Sequence, residues 1–314
     1  MMASFGDFNK VNTNVTAMEA RLSLNKINAE LGNSRLKLST GYKINNAEDD
    51  SAGFAIATKL RSRIAGLEQA LQNVSDAKSV LDIVEGSYSS VMDNLIEMKG
   101  LATQGANDTL SSAERTLIAK QINGLSIDIN ATADAAKFNG ISLLPSATGQ
   151  SVTFQVGEGT SDTMSVDLQR VDVIGLFGTD NAALGADSDI NVETDAGVQT
   201  SAAQARGQID FDGSPVNADA ADFRAFMTNV DTAIGTLNGY FNQLGIDQRS
   251  LSGKEVNLTE AISANSAAKS RIMDVDFAKE QSNSVRLQIL QQTATAALSQ
   301  ANMGPQAVLG FLGQ

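Results

Sequence analysis

Apolar residues recur in alternating steps of three and four along two long stretches near opposite ends of this 314-residue chain. The first row runs Ala57, Leu60, Ile64, Leu67, Leu71 and Val74. After one three-three step it resumes at Ala77, Leu81, Val84, Tyr88, Val91, Leu95, Met98 and Ala102. Such spacing keeps a single helix face apolar over many turns, with a stammer where the phase jumps. At 1.5 Å per residue the predicted helix is roughly 70 Å long, more than a compact globule needs. The second row comprises Met227, Val230, Ile234, Leu237, Phe241, Leu244, Leu251, Leu258, Ile262 and Ile272, with Gln248, Glu255, Asn265 and Lys269 in polar slots. Gly235, Gly239, Gly245 and Gly253 fall within it, each costing up to ~1 kcal/mol of helix propensity, so packing has to hold this segment helical.

Between the two rows the period changes. Ser111 and Glu114 have capping-box spacing, and Ile118, Ile122, Leu125 and Ile129 continue a shorter helix. Phe138-Asn139-Gly140 is a turn signal that ends it. Val152, Phe154 and Val156 then alternate with polar residues, as do Met164, Val166 and Leu168, with Gly157 to Asp162 as the loop of a β-hairpin. Residues 177–222 are rich in Ala, Gly and Asp and have weak periodicity, which predicts a small exposed insert or a partly ordered loop.

Both ends return to helical spacing. Val11, Val15, Met18 and Leu22 form one stripe, and Leu24, Ile27, Leu31 and Leu38 form another, shifted in phase. Near the other end Leu287, Leu290, Ala294, Ala297 and Ala301 make a small-residue seam that Gly304-Pro305 is expected to stop. The fold class is therefore mainly α: long antiparallel coiled-coil-like helical rods formed by N- and C-terminal segments, one small β-hairpin region and a small solvent-facing insert. The expected division is a terminal-helix inner core from 1–46 plus 273–314, a helical rod domain from 47–176 plus 223–272, and an acidic outer insert at 177–222.

Composition removes most chemistry. The chain has no His and no Cys, so disulfides, thiolate nucleophiles and Cys/His metal sites are excluded. The side chain most used as a general base near neutral pH is also missing. Carboxylates are plentiful, yet none has acid–base or metal spacing, and Gly157-Glu158-Gly159 lacks the spacing of a phosphate loop. No catalytic residue, cofactor or metal is expected, and the chain is read as a non-enzyme. The net charge of −13 disfavours nucleic acid as a partner. Nine acids and one base fall between Phe177 and Asp222, whereas Leu287 to Gln314 holds no ionisable side chain. That charge-free tail needs cover, yet Gln291, Gln292, Thr293, Ser299, Gln300 and Asn302 bar it from spanning a membrane, which takes roughly 20 apolar residues. Met1 to Lys10 shows neither the basic nor the apolar region of a cleavable signal peptide.

Terminal helices with apolar stripes on more than one side cannot both be buried by pairing with each other alone, so further copies are the natural cover. Contacts that do not close a ring generate helical filaments. Heptad rows on their own usually mean an intramolecular bundle; the charge-free tail shifts the reading toward burial between copies. The ends are then expected to order on assembly, at ~1–2 kcal/mol of backbone entropy per residue.

Particular words in the sequence go further. Residues 38–57, LSTGYKINNAEDDSAGFAIA, resemble the N-terminal signature of bacterial flagellins. Residues 257–297, from NLTEAISANSAAKSRIMDVDFAKEQSN to VRLQILQQTATAA, resemble their C-terminal signature, and the ending ANMGPQAVLGFL resembles that family's last helix. The resemblance covers about 1–176 and 222–314. It implies an extracellular filament subunit for motility, exported unfolded by the flagellar export apparatus with its chaperone and without signal cleavage. It also implies hook-associated junction and cap proteins as partners. In the family the paired termini line the filament's central channel, the rods surround them and the insert faces solvent. Acids in the insert would keep filaments apart or merely keep the loop soluble.

The resemblance also singles out residues. Val15, Met18, Leu22, Leu24, Ile27, Leu31, Leu38, Leu287, Leu290, Ala294, Ala297 and Ala301 are the expected self-assembly set. Asn45, Asp49 and Asp50 lie in the connector between inner helices and outer rods, as a hinge or, in the more ordinary reading, as helix caps. Leu95 to Gln104 resembles the stretch that an animal innate receptor reads on some flagellins. Those versions carry Arg where this chain has Glu97 and Glu where it has Gln121, while Leu101 agrees. An Arg-to-Glu exchange reverses charge and removes a fork of donors, so weak recognition is expected. The alternative function is a flagellin-like hook–filament junction protein, whose match to the 257–297 run is looser.

Overall fold

A computed structural model describes residues 13–145, 149–177, 190–194, 207–211 and 220–312. It is mainly helical, as the heptad rows predict. In chain order the elements are α1 (Val15–Thr40), α2 (Ser51–Gly105), α3 (Ser112–Ala135), β1 (Lys137–Phe138), β2 (Ile141–Ser142), β3 (Gln150–Gln155) and β4 (Thr163–Leu168). Then follow α4 (Val173–Phe177), β5 (Ile190–Thr194), β6 (Gly207–Phe211), α5 (Ala220–Met273) and α6 (Phe277–Leu312). The 55 residues of α2 make it about 80 Å long. Two compact units emerge, one from Met1–Ile64 with Ser263–Gln314 and the other from Ala65–Ile262.

The larger unit, 65–262, owes its core to the predicted rows. Ala77, Leu81, Val84, Tyr88, Val91, Leu95, Met98 and Ala102 are all buried on α2, as are Val230, Leu237, Leu244, Leu251 and Leu258 on α5. Polar pairs give the register. Lys99 Nζ lies 2.5 Å from Asp231, Gln248 Nε2 donates to Glu85 at 2.7 Å, and Lys78 Nζ reaches Glu255 at 2.9 Å. As the α2 partner moves toward the N-terminus its α5 partner moves toward the C-terminus, so the two helices run antiparallel. The two ion pairs lie at the half-exposed edge of the helix pair and mark register more than they stabilise. Tyr88 meets Phe241 edge to face at 5.8 Å between ring centroids.

Local chemistry closes the shorter elements. Ser111 caps α3 through a complete capping box, with Ser111 N–H donating to Glu114 at 2.8 Å. The end of α2 is covered by two guanidiniums: Arg115 Nε donates to the Gly105 carbonyl at 3.2 Å and Arg224 to the Ala106 carbonyl at 3.2 Å. Cations there complement the helix's negative end. Asn139 at φ 49 and Gly140 at φ 80 form the tight turn between β1 and β2, where Asn-Gly supplies the two left-handed residues.

In the β3–β4 hairpin, Val152 pairs with Val166 and Phe154 with Met164, putting the apolar half of each strand on one side. After β4, Asp172 is buried, accepts the Gly175 N–H at 3.1 Å and pairs with Arg170. Asn130 Oδ1 on α3 accepts the Val173 N–H at 3.1 Å.

Several expectations are corrected. Three antiparallel strand pairs occur among the described residues: β3–β4 is the expected hairpin, β1–β2 closes across the Asn139-Gly140 turn, and β5–β6 pairs within the stretch of weak periodicity. Gly304-Pro305 does not stop the last helix: α6 continues to Leu312. Proline removes one hydrogen bond from a helix without always ending it. The second long helix begins at Ala220, ahead of the predicted row, and so carries Phe223 and Phe226 into the core. The Phe226 ring stacks on Phe177 at 5.9 Å. Part of the 177–222 insert, together with Val11 of the first stripe, lies outside the described residues.

Candidate functional site: the paired terminal helices

Within the unit formed by 1–64 and 263–314, α1 and α6 pack along each other. Asn14 Nδ2 donates to the Ala301 carbonyl at 2.9 Å, and Gln291 Nε2 donates to Asn28 Oδ1 at 2.6 Å. At the far end of the pair, Lys43 N–H donates to Met273 O at 2.7 Å and Val275 N–H to Gly41 O at 2.9 Å. These contacts make the pairing antiparallel. Leu31, Ser34, Ser284 and Leu287 are buried in the seam, with Leu24, Ile27, Leu38, Ala294, Leu298 and Ala301 half-buried. The second predicted stripe of α1 thus faces α6.

The first stripe does not. Val15 is exposed, Met18 is 63% exposed and Leu22 is 75% exposed. On α6 the seam follows Ser284, Leu287, Gln291, Ala294, Leu298 and Ala301, a true three-four row. Leu290 and Ala297, read as part of the seam, lie off it and are exposed, as are Val285 and Ile289. Sequence reasoning missed Ser284, Gln291 and Leu298 because it followed the aliphatic residues, while the row passes through a serine and a glutamine. Each helix therefore buries one face against the other and leaves a second apolar row in solvent.

The connector is tied by carboxylates. Gly41 ends α1 at φ 76, a left-handed cap that glycine adopts without strain, and its N–H donates to Lys37 O at 2.9 Å. Asp49 Oδ2 accepts the N–H groups of Asn45 at 2.9 Å and Asn46 at 3.0 Å. Those two bonds, Asn46 first, hold its carboxyl below the ordinary value of 3.8, with a lesser contribution from Lys37. Asp50 Oδ1 accepts the N–H groups of Ala52 and Gly53 and so caps α2. Gly53 is required there: a Cβ would come within 2.8 Å of the buried Ile44 side chain and 2.5 Å of the Asp50 carboxylate.

The remaining singled-out residues lie in the 65–262 unit. Glu97 on α2 and Gln121 on α3 are exposed, while Leu101 is half-buried against the core. A shallow cavity of about 260 Å³ is lined by Val80, Phe138, Ile141, Val152 and Phe154 together with polar residues of β3, and Asp76 is its one carboxylate. No group of three or more Asp, Glu, His or Cys side chains is placed to hold a metal ion among the described residues. No described helix is long and apolar enough to cross a membrane.

Long heptad-packed helices whose terminal pair presents unpaired apolar rows define a class, the helical structural subunits. The comparisons make it specific. The profile of the bacterial flagellin N-terminal helical region matches residues 11–148, and that of the C-terminal helical region matches 227–312. A polar flagellin F of Vibrio parahaemolyticus is 31% identical over 96% of this chain and 99% of its own length. A flagellin of Halalkalibacterium halodurans is 33% identical over the same shares. A solved structure from Vibrio parahaemolyticus, described as a candidate flagellar hook-associated protein, shares the fold at a TM-score of 0.54 and 15% identity, over 72% of this chain and 100% of that one. The chain belongs to the bacterial flagellins, structural proteins that are the subunits of the flagellar filament.

Proposed function

We propose that the α1/α6 pair is the self-assembling element of this filament subunit, and that sister copies cover its outward rows. The observation that carries this reading is the exposed apolar set Val15, Met18 and Leu22 on α1 with Val285, Ile289 and Leu290 on α6. Fully covering a Leu or Met side chain contributes about 1.5–3 kcal/mol, so the six together add at most on the order of 10–20 kcal/mol per subunit, a supplement to the α1/α6 seam against the larger entropy of ordering the ends. The seam residues Leu24, Ile27, Leu31, Leu38, Leu287, Ala294 and Ala301 then pair the helices, while Leu290 and Ala297 face neighbours.

In this reading 1–46 with 273–314 form the inner part of the filament, 47–176 with 223–272 surround it, and 177–222 faces outward. Asn45, Asp49 and Asp50 form a capped, fixed connector. The chain leaves the cell unfolded through the flagellar export apparatus, chaperone-bound and without signal cleavage, and its filament abuts the hook-associated junction and cap proteins. Glu97 presents a negative charge on the surface an animal innate receptor would read, which favours weak recognition. It acts through assembly and carries no enzymatic chemistry.

The test is a chain lacking residues 287–314, mixed with filament seeds and viewed by electron microscopy. A soluble, helical, non-polymerising protein is expected. Normal filaments from that truncation would overturn the reading.

A further inference from the structure

Ala301 lies four residues before Pro305 on α6, a helix that continues to Leu312. In an α-helix each carbonyl accepts from the N–H four residues on, and proline has no N–H. The Ala301 carbonyl is therefore an orphan acceptor in the body of a helix. Asn14 fills the vacancy, its Nδ2 donating across 2.9 Å. The Oδ1 of the same amide accepts the Ala17 N–H at 3.0 Å and the Thr16 hydroxyl at 2.7 Å, capping the start of α1. One planar group thus serves an orphan donor at the start of one helix and the orphan acceptor of the other.

We propose that Asn14 is the register lock of the terminal pair: a positioning residue that joins the start of α1 to the one site on α6 where proline has removed the helix's own bond. Ala294 and Ala301 occupy equivalent places one heptad apart, so at this end of the seam register falls to polar contacts: Gln291 with Asn28 in the middle of the pair and Asn14 with Ala301 at its end. Slipping α6 by one heptad presents Asn14 with the carbonyl of Ala294, and slipping it by a residue with that of Gln300 or Asn302. Each of those has a residue other than proline four places on, so its acceptor is already engaged within the helix. The bond is open in one register only. Aspartate would match the cap but carries no donor; serine caps equally well and falls short of Ala301.

This inference rests on the terminal pair being the assembling element. Its test is a cycle of four full-length chains: the natural one, Asn14→Ser, Pro305→Ala and the double variant. The readout is the critical concentration for seeded polymerisation. Asn14→Ser keeps a cap of similar strength and removes the donor, so it should raise the critical concentration about fivefold, the loss of one hydrogen bond. With Ala at 305 the helix supplies its own N–H to Ala301, and the same Asn14→Ser change should then shift the value by less than about twofold. An equal shift in both backgrounds, or no shift in either, overturns the lock. The assembly reading fails by a different route, through polymerisation of the 287–314 truncation.

Discussion

Tyr88 on α2 and Gln169 just after β4 exchange two hydrogen bonds through one phenol oxygen: the hydroxyl donates to the Gln169 carbonyl at 3.1 Å and accepts the Gln169 N–H at 3.2 Å. The ring is buried in the α2/α5 core, so this pair joins the hairpin to the long helices. Tyr88→Phe keeps the ring and leaves both backbone groups of Gln169 without that partner. It is expected to cost about 1–3 kcal/mol in denaturant unfolding of the monomer. A loss below about 0.5 kcal/mol would mean that water replaces the phenol freely.

Burial also pushes the Tyr88 hydroxyl up to about 12 from an ordinary 10.0, the Gln169 bond only partly opposing it. A group whose folded value is raised contributes stability that is complete below its unfolded value and lost as pH rises through the folded one. The monomer should therefore lose stability between about pH 10 and 12, and Tyr88→Phe should flatten part of that decline. Unfolding midpoints along an alkaline series measure it.

At the acid end the sign reverses. The Asp49 carboxyl is held below 3.8 by the N–H groups of Asn46 and Asn45, so its contribution is present above that value and lost as pH falls through its lower folded value. Asp49→Asn should leave stability near neutral pH only slightly lower and make the acid limb shallower below about pH 4. Thermal unfolding followed by circular dichroism across an acid series gives the comparison.

Two glycines on long helices should respond oppositely to alanine. At Gly105 a Cβ would lie 2.6 Å from the Phe223 ring, whereas at Gly239 it meets nothing within 4 Å. Gly239→Ala should stabilise the monomer by up to ~1 kcal/mol through helix propensity. Gly105→Ala gains the same propensity and must displace a fully buried aromatic, so a net loss of about 1–3 kcal/mol is expected. Equal effects from the two would place the Phe223 contact wrongly.

The long helices were legible because heptad spacing depends on nothing outside the helix: every residue of the row from Ala77 to Ala102 is buried. The β3–β4 hairpin was legible for the same reason, with period two in place of three and four. What escaped was packing that crosses elements. Val171, Val173 and Phe177 are core residues of a run too short for periodicity to read, and α4 exists there because Asp172 caps it. Phe223 and Phe226 lie ahead of the heptad row that starts at Met227, and their partners Gly105 and Phe177 are distant in sequence, so no periodicity marks them as core. On α6 the seam passes through Ser284 and Gln291, which an apolar pattern skips. The Asn14–Ala301 bond was not legible at all, because Gly304-Pro305 predicts a helix stop and only the continuation of α6 to Leu312 makes the Ala301 carbonyl an orphan within a helix.

The most direct test of the account is amide hydrogen exchange along α1 and α6, measured in the free subunit and in the assembled filament. If sister subunits cover the outward rows of the terminal pair, protection should rise strongly on assembly at residues such as Met18, Leu22, Ile289 and Leu290, while the buried row from Ala77 to Ala102 stays protected in both. Terminal helices equally protected in the free subunit would contradict the account.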